Sequence, residues 1–297
     1  MSELLRVIRK SLPGMEALEN APLREHVSFR IGGPAGLLLL PSSTEELEAL
    51  CALLRRLGEK PLLLGNGSNV LPPDEGIAGA VIVTKKAAGI TVDGECVRAD
   101  CGASLTRVSA LAAEAGLSGL EFAYGIPGSI GGALVMNAGA YGGEMKDVTV
   151  RTEYLDGELR KCCAEGAEHD FSYRHSRFGA SDVILRTELR LQAGEREAVK
   201  SRCRELTERR RSSQPLDKPS AGSAFKRPEK GYAAALIDGC GLKGFRIGGA
   251  QVSEKHAGFI VNLGGATASD VKHLLEEVQK RVLAESGILL EPEIRML

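Results

Sequence analysis

The chain has 297 residues, of which 43% are hydrophobic and 26% charged, and its formal net charge is −1. That apolar content can build real cores, as one large domain or as two to three smaller ones. A balance this close to neutral sets up no global field for nucleic acid or an anionic membrane, so any anion must be recognised by local Arg and Lys.

Near the start, Glu3, Arg6, Arg9 and Lys10 interrupt the apolar pieces, so no signal-peptide core of roughly 7–15 residues is expected. The densest apolar runs, 37–40 and 61–64, are too short to span a bilayer. Residues 43–57 predict a helix, with Ser43 and Glu46 as a capping box, a stripe of Leu47, Leu50, Leu54 and Leu57, and Gly58 as its stop. Strands follow at 61–64 and 80–84, then a hairpin of 90–92 and 96–99 around Asp93-Gly94, then a helix over 104–115 closed by Gly116. Beyond it, 148–155 and 158–161 read as a hairpin around Asp156-Gly157, and 183–191 as a strand.

A charged helix over 195–211 and a Pro/Ser/Gly segment ending at Gly222 mark a join. After the join come a helical 232–237, a strand at 257–261, a helix over 268–285 boxed by Thr267 and Asp270, and a final strand at 294–296. Mixed strands and helices in this order predict an α+β fold. Arg202, Arg204, Arg209, Arg210 and Arg211 invite an RNA-binding reading. Glu195, Glu197, Glu205 and Glu208 interleave with them and no aromatic residue alternates for base stacking, so a solvated helix face fits better. Seven cysteines without Cys-x-x-Cys spacing and five scattered histidines form no metal-site pattern. They predict reduced thiols in a cytoplasmic protein.

The most informative stretch is 119–143, where eight glycines accompany Ile126, Ile130, Leu134, Val135 and Met136 and the one charged residue is Glu121. A glycine costs roughly 0.5–1 kcal/mol relative to Ala inside a regular element. This density therefore argues against an ordinary helix or strand, and for bare amides and positive φ that cradle the phosphates of a large flat cofactor; the alternative is a glycine-rich surface loop. A second turn, Gly65-Asn66-Gly67-Ser68-Asn69, follows the strand at 62–64. It begins like a dinucleotide fingerprint, but Val70 takes the sixth position and Pro72-Pro73 exclude the long helix such a site needs. Two glycine turns without that helix suit a diphosphate; a plain hairpin turn is the competing reading.

These segments occur in order with Ser28-Phe29-Arg30-Ile31-Gly32-Gly33, Tyr173-Arg174-His175-Ser176-Arg177-Phe178, Pro219-Ser220-Ala221-Gly222-Ser223-Ala224-Phe225-Lys226, Arg246-Ile247-Gly248-Gly249-Ala250 and Glu291-Pro292-Glu293-Ile294-Arg295. From about residue 23 to 295 the chain resembles the UDP-N-acetylenolpyruvoylglucosamine reductase (UDP-N-acetylmuramate dehydrogenase) family. The resemblance implies a two-subdomain FAD-binding region of the vanillyl-alcohol-oxidase (PCMH) type and a C-terminal α+β substrate domain. The expected boundaries are an extension over 1–22, subdomains 23–84 and 85–194, a helix and linker over 195–218, and a substrate domain over 219–297, whose last strand is a candidate to return to the first subdomain.

It also implies NADPH-dependent reduction of UDP-N-acetylglucosamine enolpyruvate to UDP-N-acetylmuramate, with non-covalent FAD, hydride from flavin N5, and no nucleic-acid or membrane partner. The residues it marks for the cofactor are Arg30, Ile31, Gly65, Asn66, Gly67, Ser68, Asn69, Gly125, Ile126, Pro127, Gly128, Ser129, Gly132 and Ala133. Ser223 is the implied proton donor. Arg174 and an acid, Glu293 with Glu291 as its near competitor, are implied to face the substrate carboxylate, and Tyr173 and Lys226 to hold substrate. Arg227 departs from the Asn of some members, and only 32 residues lie between Ser223 and His256, which matches the shorter branch lacking a tyrosine loop. The glycine motifs alone also admit another FAD oxidase or dehydrogenase of small alcohols or hydroxy acids.

Overall fold

The computed structural model describes residues 2–297. They form two compact units that interleave in sequence: Met1–Glu19, Leu37–Asn66 and Gly79–Arg209 make the first, and Asn20–Gly36, Gly67–Ala78 and Arg210–Leu297 the second.

The first unit begins with helix α1 (Glu3–Ser11), whose N-terminal amide of Leu5 is capped by Ser2 Oγ. It contains most of a four-stranded sheet ordered Glu16–Pro22, Pro34–Leu40, Ile77–Val83, Leu62–Leu64, the last two parallel. Helix α2 (Thr44–Arg56) buries Leu47, Leu50, Leu53 and Leu54. Ser43 Oγ caps Glu46 N, but the Glu46 carboxylate takes the amide and hydroxyl of Ser42 and does not return to Ser43.

A five-stranded antiparallel sheet follows, ordered Lys161–Glu165, Thr149–Leu155, Val183–Arg190, Cys96–Asp100, Ile90–Asp93. Both hairpin turns differ from the sequence reading. Asp93 pairs with Cys96, so the first loop is Gly94-Glu95. Leu155 pairs with Lys161, so the second spans 156–160, because Asp156 Oδ1 accepts the amides of both Glu158 and Arg160 and rounds off a wider loop.

Helix α3 (Leu105–Glu114) ends at Gly116, whose φ is +72°. The glycine-rich stretch does contain a helix, α4 (Ile130–Val135), with Ser129 as its N-cap. One of its two glycines serves a close approach: a Cβ on Gly131 would lie 3.2 Å from the Cys101 carbonyl oxygen, whereas one on Gly132 would meet only Ser129 Oγ at 3.4 Å. Positive φ within the stretch is found at Gly119 and Gly142 and also at two non-glycine residues, Asn137 and Tyr141. Helix α5 (Arg196–Ser213) buries Val199, Cys203 and Leu206 on one face. On its charged side Glu205 pairs with both Arg202 and Arg209 at 2.6 Å, the arrangement of a solvated face.

In the second unit a four-stranded sheet runs Ser220–Ser223, Phe259–Asn262, Ala250–Val252, Arg246–Ile247. Helices α6 (Ala233–Gly239) and α7 (Ala268–Ser286) supply Ile237, Val271, Leu274, Leu275, Val278 and Val282 to its core. The reciprocal Thr267–Asp270 box forms at the start of α7. The Asp74 carboxylate accepts the amides of Ala268 and Ser269 there, at 2.7 and 3.0 Å, placing negative charge against the positive end of the helix. The last strand, Arg295–Met296, pairs in parallel with Val70–Leu71. All seven cysteines are free. Among the described residues no helix is long and apolar enough to cross a membrane.

Candidate active site

In the first unit, Gly65 is packed against Ser129: a Cβ there would come 2.0 Å from Ser129 Oγ. The next residue, Asn66, donates Nδ2 to the Pro127 carbonyl at 3.3 Å. The two glycine turns singled out from sequence, 61 residues apart across the Asn66–Pro127 bond, thus meet at their tips.

 

Within the glycine turn, Gly67 has φ +62°. A Cβ on it would meet the His26 carbonyl oxygen at 2.6 Å, so the backbone there passes too close to its neighbour for any side chain. Among the described residues no backbone carbonyl accepts from the amides of Asn66, Gly67 or Ser68. A turn that presents successive amides in this way suits a phosphate. The N-terminus of α4 does not offer the same service. Its amides at Ile130 and Gly131 are bonded to the carbonyls of Ala103 and Cys101, and Gly132 N is bonded to Ser129 Oγ.

Arg174 lies in a tight turn closed by reciprocal bonds between Ser172 and His175 at 3.1 and 3.2 Å, with Arg174 itself at φ +55°. Its guanidinium sits 5.0 Å from the ring centroid of Tyr173 and donates to the Gly139 carbonyl at 3.4 Å. The turn is therefore held against the glycine-rich stretch. Ser176 Oγ donates to the Val135 carbonyl at 3.1 Å and reinforces the same attachment.

In the second unit Ser223 is exposed at the end of the edge strand Ser220–Ser223. The sequence reading places it in a turn. The structure puts it in a bulged strand, where Gly222 at φ +77° breaks the register between Ser220 and Ser223. The next amide, Ala224 N, is bonded to Gly258, and the Ala224 carbonyl accepts from Glu293 N at 2.9 Å. Glu293 is fixed a second time by Asn69, whose Nδ2 donates to the Glu293 carbonyl at 3.2 Å. Lys226 forms an ion pair with Glu291, and Arg227 lies 4.2 Å over the Tyr232 ring. Arg30 is exposed at φ +55°, whereas the Ile31 side chain is buried in the core and can offer a ligand only its backbone.

Three side chains that organise these segments carry no role in the sequence reading. Ser28 Oγ donates to the Ser220 carbonyl at 2.6 Å. Asn262 Nδ2 donates to the carbonyl of Phe29 at 3.1 Å, while its Oδ1 accepts from Gly264 and Ala266. Asn137 is fully buried in an otherwise apolar run. A lone amide among glycines and aliphatic residues is the signal that could have found it, since a buried amide must be bonded to be tolerated.

The chain is 48% identical over 96% of its length to the UDP-N-acetylenolpyruvoylglucosamine reductase of Caldicellulosiruptor bescii, covering 91% of that protein. It belongs to that family. The crystal structure of the Thermus caldophilus reductase aligns with a TM-score of 0.79 and 36% identity, covering 95% of this chain and 98% of that one. Residues 214–297 match the model for the family's C-terminal domain, and 35–162 match an FAD-binding domain. The grass pollen allergen Phl p 4, with glucose dehydrogenase activity, aligns at a TM-score of 0.51 and 13% identity over 65% of this chain and 45% of that one. That likeness is one of fold and lends no support to a small-alcohol oxidase or dehydrogenase.

Proposed function

We infer that this chain catalyses the NADPH-dependent reduction of UDP-N-acetylglucosamine enolpyruvate to UDP-N-acetylmuramate in peptidoglycan synthesis, with FAD bound non-covalently. The observation that carries the reading is the 48% identity over nearly the whole chain. The glycine turn with its available amides supports FAD, and Gly65, Asn66, Gly67, Ser68 and Asn69, with 125–129, Gly132, Ala133, Arg30 and the backbone of Ile31, are the residues that would hold it. By this reading 23–194 serves the cofactor and 219–297 the substrate. The work belongs in the cytoplasm, where thiols stay reduced and nucleotide-linked precursors are made.

FAD held by these residues would supply the redox chemistry that NADPH-dependent reduction of the enolpyruvyl group needs. Arg174 gives the substrate carboxylate a fixed positive charge as negative charge grows beside it. Its stacking on Tyr173 and its bond to Gly139 orient the guanidinium in advance. Glu293 presents a carboxyl from a backbone fixed on both sides, and is favoured over Glu291 because it directly precedes the Ile294-Arg295 pair, as the family's acid does. Ser223 supplies the proton to the adjacent carbon; its exposure on the edge strand makes the hydroxyl reachable.

The test is an absorbance experiment. Purified protein is expected to show a flavin spectrum, to bleach anaerobically with NADPH, and to recover its colour on adding UDP-N-acetylglucosamine enolpyruvate. A protein that cannot be reconstituted with FAD, or one reduced by a small alcohol and not reoxidised by the enolpyruvyl nucleotide, would overturn the reading.

A further inference from the structure

We propose that Asn137 is a positioning residue for the reaction, holding Arg174 in place from within the glycine-rich stretch. This rests on the reading of Arg174 given above.

The local sequence explains why an asparagine stands there. Helix α4 ends as Asn137 N bonds to the Leu134 carbonyl and Ala138 N to the Ala133 carbonyl, with Asn137 itself at φ +40°. That is the left-handed position beyond a helix end, which glycine fills most often and asparagine next. A glycine would meet the backbone requirement, so the side chain has a separate use.

That use is visible in its bonds. The buried amide makes three: Nδ2 donates to Glu144 Oε2 at 2.9 Å and to the Ser172 carbonyl at 3.0 Å, and Oδ1 accepts from Lys146 N at 2.9 Å. Ser172 closes the turn that carries Arg174, and Glu144 belongs to the short hairpin that begins at Gly139, the residue whose carbonyl Arg174 touches. One side chain thus fixes both ends of the Arg174 environment. Glu144 is a firm partner: burial alone would push its carboxyl up, but Lys146 and Asn137 together hold it below the usual carboxylate range.

The experiment is a double-mutant cycle on the holoenzyme, read as the rate at which NADPH-reduced flavin is reoxidised by UDP-N-acetylglucosamine enolpyruvate. Asn137→Gly keeps the left-handed backbone and removes the three bonds. It is expected to slow reoxidation at least about tenfold at saturating substrate, while Arg174→Ala slows it on the order of 10²–10³-fold. In the Arg174→Ala background, Asn137→Gly should cause no further slowing, because its effect acts through the guanidinium. A merely structural role would instead multiply the two losses, which would overturn the proposal, as would an Asn137→Gly enzyme of wild-type rate. If Arg174→Ala alone has no effect, the reading of Arg174 fails first. Should Asn137→Gly lose its flavin, Asn137→Asp, which keeps the volume and the acceptor, takes its place in the cycle; loss of flavin in both variants would make Asn137 a folding residue and end the proposal.

Discussion

Ser28 Oγ donates to the carbonyl of Ser220 at 2.6 Å across 192 residues of sequence. The backbone amide of Ser28 also donates to the Gly67 carbonyl at 3.0 Å. The segment that carries Arg30 and Ile31 is therefore tied both to the glycine turn and to the strand that ends at Ser223. The segments proposed to bind cofactor and substrate share one hydrogen-bonded frame within the second unit, and its weak points can be tested separately.

Gly67 and Gly222 both have left-handed backbone, yet their surroundings differ. A Cβ on Gly67 meets backbone at 2.6 Å, whereas one on Gly222 meets nothing within 4 Å. Gly222→Ala is expected to cost only the conformational strain, about 1–2 kcal/mol, and to retain flavin. Gly67→Ala adds a clash that backbone cannot relieve, for a total of about 2–5 kcal/mol, and should lose flavin. Urea midpoints and flavin content of the two purified variants check this; equal behaviour would mean that the turn around Gly67 is not the cradle.

Ser223→Ala separates the two half-reactions. Bleaching by NADPH should proceed near the wild-type rate. Reoxidation by the enolpyruvyl nucleotide should slow on the order of 10²–10⁴-fold, the usual worth of a positioned acid, or about 3–5 kcal/mol of barrier. Stopped-flow absorbance reads both steps. Parallel slowing of both would indicate a structural serine, and no slowing of either would assign the proton to another donor.

His169 gives the stability a pH dependence. Its ring is fully buried, with Nε2 at 2.9 Å from Thr152 Oγ1 and Nδ1 at 3.0 Å from the Gly166 carbonyl. Burial pushes its pKa below the ordinary 6.5, against the pull of the Gly166 carbonyl and with help from Arg177. The unfolded chain then binds a proton more readily than the folded one. Stability from this residue is complete above about pH 6.5 and is lost as pH falls toward the lower folded value. His256 is shifted the same way by burial. Urea midpoints should fall below pH 6.5, and His169→Gln should flatten that decline; an unchanged slope would remove His169 as its source.

Helices with complete local signals were legible in sequence. The Thr267–Asp270 box and the apolar face of α7, and the Ser43 cap and the buried Leu47, Leu50 and Leu54 of α2, are written within a few turns of chain, so local chemistry sufficed; Leu57, expected to extend that stripe, caps the helix end and is exposed. Family and activity were legible too, because ordered motifs of glycine, arginine and acid survive as a string. What the string left open was decided by bonds between distant residues. The turn at 156–160 was set by where Asp156 found its amides, and the strand at Ser220–Ser223 by its pairing with Phe259–Asn262. The short α4 was stabilised against its glycine content by the carbonyls of Cys101 and Ala103, and Asn137 acquired its purpose only when Ser172, 35 residues away, came within 3.0 Å. Local propensity is weak for such elements, so tertiary hydrogen bonds that no local pattern encodes determine their conformation.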